Sequence, residues 1–226
     1  VDDGSPPEIQ SALAGALKNC KVLTRPVNAG FSATVNYGAA HSRGNYFCLV
    51  NNDVTFIQKN WLDLMLADAR RARVGLVGPR PLYPDWRIQH GGIIHLPQGG
   101  FDHEYRGQPG DFYPALRSRE VLGVTGALML ANRRLWGILG GMDEHFFIGM
   151  EDIDFSLRAW EKGFRIFYTG AAVAVHPEGV TRWNNPYWHA KAAESGMRFA
   201  QKWNRKISLF RQTPRVAHGF SSISEE

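Results

Sequence analysis

The sequence predicts an α/β fold: a mixed, mostly parallel central sheet flanked by helices. Three observations predict it. Short apolar runs alternate with helix-periodic segments over residues 1–79. Two of those runs, 46–50 and 74–77, read as strands buried on both faces. The chain has 226 residues, 44% of them hydrophobic, which is enough to bury the core of one large domain.

The elements follow in order. Residues 7–18 read as a helix behind Pro6-Pro7, with Ser5 as its cap. Residues 21–25 are a short strand. Residues 31–42 are a small-residue helix closed by Gly44, and 46–50 are a buried strand. Residues 60–73 are an amphipathic helix with Trp61, Leu62, Met65, Leu66 and Ala69 on one face. The strand at 74–77 is stopped by Gly78-Pro79. Residues 80–120, rich in Gly, Pro, Tyr and His, read as a long loop region or lid with a hairpin around 88–96. A strand at 121–131 precedes a short helix at 133–139, ended by Gly140-Gly141. A helix at 151–162 carries Gly163 at its C′ position. Strands at 165–168 and 172–175 lead to a final helix at 186–205. The expected organisation is one domain, 1–206, divided into halves at 1–79 and 80–206, followed by a loosely ordered basic tail at 207–226.

Composition excludes several classes. Bulky apolar residues are too frequent for a disordered chain. Two cysteines, Cys20 and Cys48, cannot frame a disulfide scaffold and lack metal-site spacing. They are expected in the core as small apolar residues rather than in a bridge. No apolar run reaches the length of a membrane span, and no signal peptide is visible. The first residue is Val1, not Met, so the N-terminus reads as a processing site or a cut within a longer chain. Net charge is +5, and most of the excess lies beyond residue 190. Such a basic end suits an anionic partner or, equally, a solvated helix face. With no zinc-finger, RNP or helix-turn-helix signature, specific nucleic-acid binding is not expected.

Four clusters carry candidate chemistry, each with a plainer alternative. Asp2-Asp3-Gly4-Ser5 lies where open α/β sheets bind ligands, beyond a strand's carboxyl end, or is only a turn. Asn51-Asn52-Asp53 follows an apolar strand and can offer oxygens to a hard cation, or is an Asx turn. Glu151-Asp152-Ile153-Asp154 opens a helix. Acids there complement the helix dipole, yet one could face a cleft as a general base, with Asp152 and Asp154 pointing apart. His176 follows another apolar strand, as a metal ligand or as a structural histidine.

Taken together, Val1-Asp2-Asp3-Gly4-Ser5, Asn28-Ala29-Gly30-Phe31-Ser32, Asn51-Asn52-Asp53, Gly126-Ala127-Leu128-Met129-Leu130, Gly140-Gly141-Met142-Asp143-Glu144, Glu151-Asp152-Ile153-Asp154-Phe155 and His176 resemble the family 2 glycosyltransferases. The likeness is to the bacterial rhamnosyltransferase and galactofuranosyltransferase branch, and it runs from residue 1 to about 205. It implies a GT-A fold, with 1–79 as the nucleotide-binding half and 80–206 as the acceptor half. It implies inverting transfer from a UDP-, dTDP- or GDP-sugar to a glycan or lipid-linked acceptor, as in bacterial cell-envelope polysaccharide biosynthesis. Asp2, Asp3, Asn28, Gly30, Asn51 and Asn52 would then bind the donor. Asp53 and His176 would hold Mn²⁺ or Mg²⁺. Asp152 would be the base, beside Glu151, and Gly126, Arg182 and Trp183 would line the acceptor side.

The chain departs from the family's pattern twice. Asn51 stands where many members have Asp, and an amide adds no charge. The family's first apolar strand, with its turn and helix, does not precede Asp2, so the first strand of the sheet is expected to be missing. These departures support an alternative: a non-catalytic nucleotide- or carbohydrate-binding remnant. The expected location is cytoplasmic, at the inner face of the membrane. There the final helix, with Trp188, Met197, Phe199 and Trp203, either makes peripheral membrane contact or packs on the domain.

Overall fold

A computed structural model describes residues 1–178 and 185–211, with side chains to residue 207. The first half contains β1 (Asp2–Asp3), α1 (Pro7–Ala16), β2 (Thr24–Arg25), α2 (Phe31–Ala40), β3 (Tyr46–Val50), β4 (Thr55–Phe56) and α3 (Trp61–Ala69). Then come β5 (Val74–Leu82), β6 (Ile93–His95), β7 (Phe101–His103), a 3₁₀ turn (Tyr113–Leu116), β8 (Arg119–Glu120) and β9 (Leu128–Asn132). The described residues end with α4 (Arg133–Leu139), α5 (Glu151–Glu161), β10 (Arg165–Val175) and α6 (Pro186–Arg211).

The main sheet has the order β3-β9-β5-β10-β4, with β8 also paired to β10. It is mixed, as expected, but not mostly parallel. Among the described residues, only β5 and β10 pair in parallel within it. The strand β9 runs opposite between β3 and β5, because it is entered through the buried segment 121–127 and not through a helical crossover. β1 and β2 form a separate parallel pair.

Helices cover both faces. Phe47, Leu49, Met129 and Ala131 of the sheet meet Leu135, Trp136, Phe155, Phe199 and Trp203 of α4, α5 and α6. On the other face Leu130 and Phe167 pack on Met65 and Ala69 of α3. Phe199, Trp203 and Ile207 are buried, so this stripe of α6 belongs to the core, whereas Met197 is exposed. No described helix is long and apolar enough to cross a membrane.

Several expectations need correction. β3 is an edge strand, with Phe47 and Leu49 buried and Cys48 and Val50 exposed, so it is not covered on both faces. Both cysteines are free and exposed rather than in the core. Ser5 does not cap α1: Pro6 holds the N-cap position without a side-chain hydrogen bond. Gly78-Pro79 does not stop β5. Pro79 falls beyond the last β9 pair and opposite the irregularity between Tyr168 and Val173 of β10, where its missing N–H breaks no ladder. That same irregularity joins the two strands expected at 165–175 into one. Residues 88–95 are buried and form a wall, not a lid, and the hairpin pairs β6 with β7. Leu62 is exposed on α3.

A second, tighter hairpin follows β5. The Tyr83 N–H donates to the Arg87 carbonyl at 2.8 Å, and the Trp86 N–H donates to the Tyr83 carbonyl at 2.9 Å. Leu82 and Ile88 bridge its base. Trp86 takes the left-handed position of this three-residue loop, φ 68°, where glycine is the low-cost residue. Backbone strain of this kind costs about 1–3 kcal/mol.

Candidate active site

The strand tips and the start of α5 enclose a cleft of about 410 Å³. It brings together Asn51, Asn52, Asp53, Gly126, Glu151, Asp152 and His176. Asp2, Asp3, Asn28 and Gly30 do not line it, although Phe31, next to Gly30, does. Arg182 and Trp183 lie outside the described residues.

His176 enters from the end of β10, and two contacts to Gln89 fix it. Its Nδ1 lies 2.8 Å from Gln89 Oε1, and its carbonyl accepts from Gln89 Nε2 at 2.9 Å. Because Oε1 only accepts, the ring proton belongs on Nδ1, and the Nε2 lone pair faces the cleft. That nitrogen stands 3.2 Å from Asp53 Oδ1 and 3.4 Å from Asn51 Nδ2. The buried Oδ1 of Asp53 makes no hydrogen bond. A carboxylate oxygen and an imidazole nitrogen this close suit a divalent cation that fills its remaining positions from phosphates and water. Among the described residues no group of three or more His, Cys, Asp or Glu side chains could hold a metal.

Asp152 lines the same cleft. Its Oδ2 accepts the Gly126 N–H at 3.0 Å and its Oδ1 accepts the Ile153 N–H at 2.8 Å. The short turn through Gly149 and Met150, both with positive φ, starts α5 abruptly and aims this carboxylate into the cleft. Glu151, also lining it, is buried. Asp154 faces away. It is fully buried against Arg158 and Lys202 at 2.7 Å each and Trp203 Nε1 at 2.8 Å.

The N-terminal loop is built around Asp3. Its carboxylate accepts the Ala29 and Gly30 N–H groups at 3.0–3.1 Å and pairs with Arg25 at 3.3 Å. Asn28 Oδ1 accepts the Gly30 N–H at 3.1 Å. Gly30 has φ 87°, and a Cβ there would stand 2.5 Å from the Phe147 carbonyl oxygen. Asp2 is buried, its Oδ1 accepting the Ser5 N–H at 3.3 Å and its Oδ2 without a hydrogen bond.

Sequence reasoning missed Gln89, His103, Glu178 and His189 as cleft residues. Trp188 also lines the cleft. Burial lowers the pKa of His103, and the Arg106 guanidinium adds to that. His90, packed edge-on at 4.6 Å, is held well below the usual histidine range by burial and by His103. Tyr83 bonds Glu178 at 2.7 Å, and burial with that contact pushes its hydroxyl up to about 12.

Comparisons with known proteins agree with this architecture. The chain is 34% identical over 177 residues to the uncharacterized protein y4gI of Sinorhizobium fredii, covering 75% of this chain but 19% of that protein. It is 25% identical over 218 residues to the N-acetylglucosaminyl-diphospho-decaprenol L-rhamnosyltransferase of Mycobacterium tuberculosis, covering 85% of this chain and 70% of that enzyme. The solved mannosyltransferase PcManGT from Pyrobaculum calidifontis, in complex with GDP-Man and Mn²⁺, superposes with a TM-score of 0.61 at 18% identity. That match covers 91% of this chain and 54% of PcManGT. The fold is therefore that of the GT-A glycosyltransferases. Residues 1–135, more than half of the chain, match the model described as Glycosyl transferase family 2, and the chain belongs to that family.

Proposed function

We propose that this chain is a glycosyl-transfer domain. It would move a sugar from a nucleoside-diphosphate donor, a UDP-, dTDP- or GDP-sugar, to a hydroxyl of a glycan or lipid-linked acceptor. One observation carries the reading: Asp152 lines the same cleft as Asp53 and His176. The name of the mycobacterial rhamnosyltransferase supports a lipid-linked acceptor. The GDP-Man and Mn²⁺ in the PcManGT complex support a nucleotide-sugar and a divalent metal.

Asp53 Oδ1 and His176 Nε2 would hold Mn²⁺ or Mg²⁺. When bound, the cation supplies charge neutralisation for a diphosphate leaving group. The chain's own residues do the rest. Asp152, fixed by two backbone N–H groups, accepts the proton of the attacking hydroxyl. A bond forms from that oxygen to the anomeric carbon as the bond to the phosphate oxygen breaks, and the electron pair leaves with the diphosphate. Attack opposite the leaving group inverts the anomeric centre. Gln89 keeps the His176 tautomer, and the Asp3 and Asn28 contacts shape the loop ahead of α2 for the nucleoside. Glu151 borders the base, and Gly126 lets the acceptor approach it.

Calorimetric titration with UDP, dTDP and GDP, each with Mn²⁺ and with EDTA, tests the donor half of this reading. Metal-dependent binding of one nucleotide is the expected result; no binding of any would overturn it. Donor binding without transfer to any tested acceptor would leave a binding remnant in place of the enzyme.

A further inference from the structure

A second cavity, of about 560 Å³, opens at the hairpin that follows β5. Arg80, Leu82, Asp85, Trp86, Arg87 and Asp111 are among its walls, and none of its lining residues lines the cleft. Three features set it apart from ordinary surface. Trp86 is 59% exposed at a left-handed hairpin position that glycine fills more easily, so the fold alone gives no reason for an indole there. Arg80 is nine-tenths buried, bonds the Gly110 carbonyl through one terminal nitrogen, and leaves its Nε without a hydrogen bond. The charges balance. Arg80 and Arg87 face Asp85 and Asp111, and Arg87 Nε stands 3.7 Å from Asp85.

That balance selects the ligand. A phosphate or carboxylate would meet two carboxylates, and a cation would meet two guanidinium groups. A neutral, hydroxyl-rich molecule satisfies all four, because each hydroxyl both donates and accepts. An exposed indole adds a flat apolar surface for the C–H face of a sugar ring. We propose that this cavity is a second carbohydrate site. It takes one neutral sugar unit, with Trp86 under a ring face and Asp85 and Asp111 on its hydroxyls.

The site lies at the same end of the sheet as the cleft. The Leu82 carbonyl accepts the His176 N–H at 2.9 Å, and Tyr83 bonds Glu178 of the cleft. A glycan held here is placed to run toward Asp152. That it would be the acceptor rests on the transfer reading; the binding itself does not.

The test is calorimetry of the full chain with neutral manno-, galacto-, gluco- and rhamno-oligosaccharides, in the presence and absence of GDP or UDP with Mn²⁺. At least one series should bind, with nucleotide present or absent. Trp86→Ala should weaken that binding roughly tenfold, while Trp86→Tyr retains most of it. The pair Asp85→Asn with Asp111→Asn should weaken it comparably, which keeps the test decisive if Trp86→Ala does not fold. The proposal is overturned if no series binds, if binding survives both sets of substitutions, or if nucleotide displaces the sugar. Sugar binding without nucleotide binding would sink the transfer reading and spare this site. Nucleotide binding without sugar binding would do the reverse.

Discussion

Asp152 and Asp154 stand two residues apart in the first turn of α5, on opposite sides of the helix. On the cleft side, Asp152 accepts two backbone N–H groups and lies near the His103 imidazole in the open cavity. On the α6 side, Asp154 is sealed among Arg158, Lys202 and the Trp203 indole. A step of two residues turns about 200° around a helix, which is enough to separate them. One carboxylate lines the open cleft; the other holds two helices together. Acidity at a helix start therefore says little until the partners on each side are known.

The largest test of that division is Asp152→Asn. Transfer should fall by about 10²–10⁴-fold while metal-dependent nucleotide binding stays within a few-fold, measured by initial rates and calorimetry. Unchanged turnover would break the comparison at once. Next is Asp154→Asn, which removes the buried carboxylate that the partly buried Arg158 and Lys202 share. It should cost about 3–5 kcal/mol in urea unfolding, and adding Lys202→Met should return part of the loss. A loss under 1 kcal/mol would mean the α6 side is not held as described.

A smaller effect is expected at Gln89, which acts through His176. Gln89→Leu should weaken Mn²⁺-dependent nucleotide binding by about 10–100-fold and leave any metal-independent binding alone. Equal loss in EDTA would reassign Gln89 to general support of the wall.

Acidity should separate the two sides further. His90, behind the cleft, has its folded value lowered well below 6.5 by burial. The unfolded chain takes up that proton first, so this stability is complete above pH 6.5 and is lost as pH falls below it. His90→Gln should flatten that decline. Asp143, bonded to Lys202 on the α6 side, is raised by burial but lowered more by Lys202 and His145, to about 2. Its contribution is present above 3.8 and lost as pH falls toward about 2. Lys202→Met should remove most of that second decline in the urea midpoints.

Local pattern made much of this legible. The helix ended by Gly163, the strand at 46–50 and the short helix at 133–139 lie where apolar spacing and glycine put them. The opposite directions of Asp152 and Asp154 followed from helical period alone. What local pattern could not carry was neighbourhood. An apolar run such as 46–50 reads alike at the edge or the centre of a sheet, and only pairing with β9 distinguishes them. Gln89 sits 87 positions from His176, in a stretch that reads as a hairpin within a long loop region and carries no sign of what it faces. Asp3 was legible as a special carboxylate, yet its bonds to residues 29 and 30 depend on a turn that spacing does not specify.

The contact between α2 and the loop before α5 bears on the order in which the chain acquires its shape. The Ser32 hydroxyl donates to the Phe146 carbonyl, 114 positions away, and the Phe31 N–H donates to the next carbonyl, that of Phe147. The loop ahead of α2 is thus finished by residues that leave the ribosome much later. Closing so long a span comes late and slowly. Until it closes, the first half lacks this lock on α2, and apolar surface left uncovered at that stage is open to aggregation.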